Sequence, residues 1–296
     1  MGQSLLTKID FYKEKYINEK ISLNHSNNTI TTYLSILDPL YEFLVKYEDE
    51  IDLKDINKDI FLEFINIDPS LSNSTKQLRV TVLKGFFKYI EQIDDRYSFI
   101  KEFSDIKIKK QQKSIESLND DEVKRLLAIF KKHPTSYNTN RDKLLITILI
   151  YTGVRASELL NIKFSDIVSL DEEIFKIKIL GKGDKQRYVY ISKDKISNEL
   201  EYLKKYNLTF LASTNTTYKQ MTRVGLFAMV KNKMKKANIS KQGIHILRHT
   251  FAKSLVSKNV NLSTIKELMG HENIATTMIY AKSDEGSMVR AVGLLI

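Results

Sequence analysis

Cysteine is absent from all 296 residues, which excludes disulfides, thiolate catalysis and cysteine-ligated zinc. The five histidines show no HExxH or comparable metal-ligating spacing, so a metallonuclease is a poor reading. No serine has the histidine and acidic partners that would make a hydrolase persuasive. Long apolar runs are missing too. The longest candidate, Leu144 to Tyr151, falls well short of the roughly 20 residues of a membrane span and reads as a buried helix. The opening MGQSLLTKIDFYKEK has no apolar stretch long enough for a secretory signal. Neither an internal repeat nor a low-complexity segment is present. The expected location is cytoplasmic, with no membrane partner, no metal and no cofactor.

The length suggests two domains, at roughly 100–200 residues per domain, and 42% apolar residues are enough for a sizeable core. The net charge of +11 is unevenly placed. Residues 1–113 carry 17 Lys and Arg against 18 Asp and Glu, whereas residues 114–296 carry 30 against 18. A basic excess confined to one part of a chain points to a polyanionic partner there.

The first hundred residues read as about four helices. Ile30, Leu34, Leu37, Tyr41 and Leu44 recur at helical spacing, with Ser26 and Asn27 as candidate N-caps and Pro39 as a kink. In STKQLRVTVLKGFFKYI, Leu78, Val82, Phe86 and Ile90 predict one apolar stripe. Lys76, Lys84 and Lys88 fall on the opposite face, as candidates to meet phosphates. Gly85 in that helix suggests close approach of another backbone. SDIKIKKQQKSIE breaks the pattern and holds Lys107, Lys109, Lys110 and Lys113, which predicts a basic linker over 106–116 and three further phosphate-contact candidates, Lys107, Lys109 and Lys110. The expected domains are therefore 1–105 and 117–285, with a tail over 286–296. Asn119 and Glu122 form a plausible capping arrangement at the start of the second domain. A long helix through RDKLLITILIYTG follows, then a short one carrying Arg155, and 173–191 alternate as a β-hairpin.

The chemistry-bearing residues come late. His245 and Arg248 lie in HILRHTFA, His271 and Tyr280 in LMGHENIATTMIYA, and Arg155 in YTGVRASELL with Glu158 three residues on. Lys182 sits between two glycines in GKGDKQR at the hairpin tip. Breaking a phosphodiester by transfer to a side chain needs fixed cations for the non-bridging oxygens, which arginine supplies bidentately. It also needs a hydroxyl whose adduct survives until exchange, and a proton for the leaving oxygen.

This ordered set spans most of residues 118–281 and resembles the tyrosine recombinases, the Xer-type members most closely. The resemblance implies a mainly α fold with a small β-sheet: a helical core-binding, SAM-like domain followed by a catalytic domain of the DNA breaking-rejoining fold. It implies that Arg155 and Arg248 clamp the scissile phosphate, His271 hydrogen-bonds it, His245 accepts the tyrosine proton, and Lys182 is the general acid. Tyr280 is the implied nucleophile and Glu158 the acidic support. His249, about 100° around the helix from Arg248, reads as structural, and His25 and His133 fit no motif. Two domains closing on double-stranded DNA as a clamp, a homotetramer synapsing two specific sites, and a possible second recombinase or DNA translocase follow from the same resemblance. The apolar end, Met288 to Ile296, is the expected segment for docking into a neighbouring protomer. Chromosome or plasmid dimer resolution is the favoured role. Integration of a phage or other mobile element, a type IB topoisomerase and a DNA-binding protein with dead chemistry are the alternatives.

Overall fold

The computed structural model describes residues 4–109, 115–132, 136–181 and 185–280. Lys110, Lys113, His133, Lys182 and the apolar tail lie outside the described residues. The chain divides into two compact units, Met1–Lys113 and Ser114–Ile296. Among the described residues no helix is long and apolar enough to cross a membrane.

The first unit is helical, and its helices begin where polar side chains satisfy amides left without an intrahelical partner. Ser4 caps α1 (Leu5–Ser22), Ser26 caps α2 (Asn27–Leu44), Asn57 caps α3 (Lys58–Asn66) and Ser72 caps α4 (Asn73–Ile93). A short α5 (Ile100–Phe103) follows. Phe61, Phe87, Phe99 and Phe103 fill the core, with Phe61 and Phe103 ring centroids 4.5 Å apart and Phe87 and Phe99 4.9 Å apart. Tilted rings at these separations favour the aromatic quadrupoles beyond simple burial.

Along α4 the buried face is broader than one stripe: Val80, Val82, Leu83, Phe86, Phe87 and Ile90 are buried, while Leu78 is exposed. The start of this 21-residue helix meets its neighbours through polar side chains, Asn73, Lys76 and Gln77, and Leu78 stays on the solvent side. A Cβ on Gly85 would meet the Tyr16 hydroxyl at 2.9 Å, so the close neighbour there is a side chain rather than a backbone.

The lysines expected on the far face of α4 have different environments. Lys84 Nζ donates to the carbonyls of Ser104 (2.8 Å) and Ile106 (2.9 Å). That ties it to the following segment, and burial with the nearby Lys107 charge lowers its pKa. Lys76 Nζ donates to Asn66 Oδ1 at 2.9 Å, and Lys88 is exposed. The segment entering the expected linker is packed on this unit. Ile106 is buried, the Ile108 amide donates to Gln77 and the Lys109 carbonyl accepts from Asn73, while Lys107 and Lys109 are exposed.

The second unit opens with α6 (Asp120–Ala128), where Asn119 and Glu122 form a reciprocal capping box. Its spine is α7 (Tyr137–Thr152), which is apolar on most sides and correspondingly buried. It packs against α9 (Lys193–Lys204) and α11 (Ile244–Ser257). After the short α8 (Ala156–Leu160) comes a three-stranded antiparallel sheet, β1 (Ile167–Ser169), β2 (Ile174–Leu180) and β3 (Gln186–Ser192), in that order. Ile177 pairs with Val189 and Ile179 with Arg187. Alternate side chains Ile177, Ile179, Val189 and Ile191 enter the core. The hairpin is the one the alternation predicts. β1, only three residues long, is too short to leave a periodic signal. α10 (Arg223–Lys236), α12 (Leu262–Met269) and α13 (Ala275–Met278) complete the unit.

Candidate active site

Two left-handed glycines set the frame of the site. Gly153, at φ +63°, ends α7, and a Cβ there would sit 2.3 Å from the Phe251 ring. Gly270, at φ +62°, ends α12, and a Cβ there would lie 2.9 Å from the Arg187 guanidinium. Any other L-residue would be strained at either position. The carbonyls around these turns are the anchors for both candidate clamp arginines.

Arg248, on the buried face of α11, donates Nη1 to the Gly153 carbonyl and Nη2 to the Met269 carbonyl, the latter at 2.7 Å. Arg155, the residue just before α8, donates Nη2 to the Gly270 carbonyl at 2.8 Å. The two guanidiniums therefore converge on the turn that immediately precedes His271. Each has five N–H donors, so donors remain for an anion. Burial pulls the Arg248 pKa down to about 10, and the Arg155 charge adds to the effect. At neutral pH Arg248 is still a cation.

Glu158 is the pivot. Its carboxylate is 4% exposed and accepts from the Arg155 amide (2.7 Å) and Arg155 Nη1 (2.9 Å). It also accepts two parallel bonds from Arg187, both 2.8 Å. Burial alone would raise its pKa, but the bonds from Arg187 and Arg155 outweigh that and hold it at about 2. Two guanidiniums thus share one carboxylate, and the nearby Arg248 adds a third positive charge, an excess suited to a phosphodiester.

Arg187 escapes the sequence reading, since one arginine in RYVYIS has no distinguishing spacing. It reaches back from β3, with Nε on the Leu268 carbonyl at 3.1 Å.

His271 follows Gly270, and its Nδ1 lies 2.8 Å from the hydroxyl of Thr277, which is fully buried. Burial, with the charges of Arg248, Arg155 and Arg187, lowers the imidazole pKa to about 4. The ring is therefore neutral at pH 7. A neutral ring that accepts from Thr277 at Nδ1 carries its proton on Nε2, which can donate to a phosphate oxygen. Removing only that hydroxyl, in Thr277→Val, should release the tautomer and slow single-turnover strand cleavage about fivefold, the equivalent of roughly 1 kcal/mol for one hydrogen bond. An unchanged rate would mean that other contacts hold the ring.

The same shift gives a pH dependence. An imidazole whose folded pKa is depressed contributes stability above the unfolded value of about 6.5, and that stability is lost as pH falls toward the folded value. The melting temperature of the DNA-free protein should thus drop between pH 6.5 and 4. His271→Gln should drop less. Equal slopes for the two proteins would contradict the assignment of the shift to His271.

His245 and His249, one turn apart, share a face of α11. His245 is exposed and its pKa is lowered by partial desolvation and by the Arg223 and Arg248 charges. The imidazole on the candidate nucleophile is His249, whose Nδ1 lies 2.6 Å from the Tyr280 hydroxyl. The structural role expected for His249 thus gives way to a contact with the candidate nucleophile. The 100° offset from Arg248 turns its ring toward the segment after α13 rather than into the core. Tyr280 itself is half-buried, packed on the small cluster of Phe251, Ala252, Ile265 and Met269. Burial raises its pKa, and the Arg248 charge opposes the rise.

The structure thus brings together Arg155, Glu158, Arg248 and His271, and pairs Tyr280 with His249. Lys182 lies outside the described residues.

The sequence profile of the phage integrase family matches residues 116–286. The chain belongs to this family. The XerH tyrosine recombinase of Campylobacter jejuni is 31% identical over 91% of this chain and 79% of its own length. XerC of Leptospira interrogans serovar copenhageni is 27% identical over 90% and 87%. The structure of an XerH recombinase bound to difH substrate in a pre-cleavage complex matches with a TM-score of 0.75 and 29% identity, over 92% of this chain and 81% of that one. A λ integrase tetramer bound to a Holliday junction has the same fold, with a TM-score of 0.72 at 16% identity over 96% and 80%. The chain is an Xer-like tyrosine recombinase, a site-specific DNA recombinase, and the mainly helical fold with a small sheet is the one the motifs imply.

Proposed function

We propose that this recombinase cuts one strand by attack of Tyr280 on a phosphodiester held by Arg155, Arg248 and His271, leaving a 3′-phosphotyrosyl link and a 5′-hydroxyl. The convergence of both arginines on the carbonyls of Met269 and Gly270, immediately before His271, carries this reading. Guanidiniums fixed before the substrate arrives need no reorganisation as charge develops on the non-bridging oxygens. Glu158 and Arg187 keep Arg155 in place. Lys182 protonates the leaving oxygen, and His245 acts beside the arginines on the phosphate or the phenol. Because the tyrosyl ester keeps the energy of the broken bond, a 5′-hydroxyl from a partner duplex reverses the step without ATP.

Lys76, Lys88, Lys107, Lys109 and Lys110 meet the DNA backbone through the first unit, and Lys84 has a packing role. Four copies synapse two sites and pass through a Holliday junction. The role is resolution of chromosome or plasmid dimers in the cytoplasm, with a second recombinase or a DNA translocase as a possible partner. Two findings support this reading: the Xer names of the relatives that span most of the chain, and the DNA-bound tetramer among the structural neighbours.

The test is a duplex nicked near the site, incubated with the purified protein in EDTA without nucleotide. The expected result is a covalent complex whose DNA-bearing peptide contains Tyr280. Cleavage that strictly requires added magnesium, or a linkage at another residue, would overturn the proposal.

A further inference from the structure

The imidazole that contacts the Tyr280 phenol belongs to His249, one turn beyond His245 on α11, with Nδ1 2.6 Å from the hydroxyl and ring centroids 5.6 Å apart. A phenol is a better donor than a neutral imidazole N–H, so the phenol donates and Nδ1 accepts. We propose that His249 is the proton acceptor for Tyr280 in strand cleavage. This deepens the preceding reading and rests on Tyr280 as nucleophile.

In the step, the phenolic proton passes to Nδ1 as the phenol oxygen bonds phosphorus. The phosphorus–O5′ bond breaks with its electron pair on O5′, and that oxygen takes a proton from a separate acid, Lys182. The reverse step returns both protons.

Two features suit His249 to the task. Burial and the neighbouring His245 and Arg248 lower its pKa, so it is neutral and ready to accept at pH 7. The same neighbours, with His271 nearby, disfavour the imidazolium once formed, so the proton is readily returned when the strands rejoin. His245, exposed beside Arg223 and Arg248, is then left to the phosphate.

The experiment is single-turnover cleavage of a nicked duplex by the full-length protein, followed from pH 6 to 9.5, with melting temperature and DNA binding measured for each variant. His249→Ala should cleave about 10²-fold more slowly at pH 7, the usual scale for loss of a general base. Its rate should climb with pH as phenolate supplies the nucleophile directly. Replacing Tyr280 by 3-fluorotyrosine, a more acidic phenol, should recover much of the loss in His249→Ala and little in His245→Ala. Added imidazole should likewise accelerate His249→Ala.

An unchanged pH profile in His249→Ala, or recovery by 3-fluorotyrosine in His245→Ala instead, would make His245 the acceptor and overturn the proposal. Faster cleavage by His249→Ala would also overturn it, because His249 would then be holding the phenol back. Covalent attachment by Tyr280→Phe would sink the underlying reading of the nucleophile, an outcome separate from all of these.

Discussion

Tyr280→Phe is expected to abolish covalent attachment to DNA while leaving site binding within a few-fold of the parent. The substitution removes one oxygen and keeps the ring that packs on Phe251, Ile265 and Met269, so the fold around the site is retained. Arg155 and Arg248 still present their charge to the phosphate, which is where most of the local binding originates. No other hydroxyl can be assumed to substitute, because covalent catalysis needs the nucleophile in line with the leaving oxygen. The check combines a gel-shift titration with a nicked-duplex trap. A covalent complex formed by Tyr280→Phe would mean that another side chain attacks.

Arg248→Lys should lower single-turnover cleavage by about 10²–10³-fold, the range seen when one preorganised oxyanion donor is lost. Lysine keeps the charge, yet it cannot hold two carbonyls in a planar fork and still face the phosphate. Arg248 is 6% exposed and bridges Gly153, at the end of α7, to Met269, at the end of α12. The exchange therefore leaves at least one buried carbonyl poorly satisfied, which costs about 1–3 kcal/mol of stability. Rate and melting temperature together separate the two effects. A stable Arg248→Lys protein that cleaves at the parental rate would show that a point charge suffices there.

Much of the candidate site was legible in the sequence because residue type and order carry it. Arg155, Glu158, Arg248, His271 and Tyr280 are separated by spacings that helices and turns preserve. Local rules reached as far as the Asn119–Glu122 capping box, the Ser26 cap and the β2–β3 hairpin, since each depends on neighbours within one element. Val82, Phe86 and Ile90 follow the predicted α4 stripe and Leu78 does not, because periodicity identifies a face and not what lies opposite each turn of it.

Only the packed molecule decided who meets whom. Arg187 crosses from β3 to share Glu158 with Arg155, and Gly270 must lack a Cβ to admit it. Lys84 spends its charge on two carbonyls of the segment after α5. His249, rather than His245, lies against Tyr280, 31 residues away. Sequence spacing determines which direction a side chain leaves its own helix. The group waiting in that direction comes from another element, and its position depends on how the cores and turns close around it.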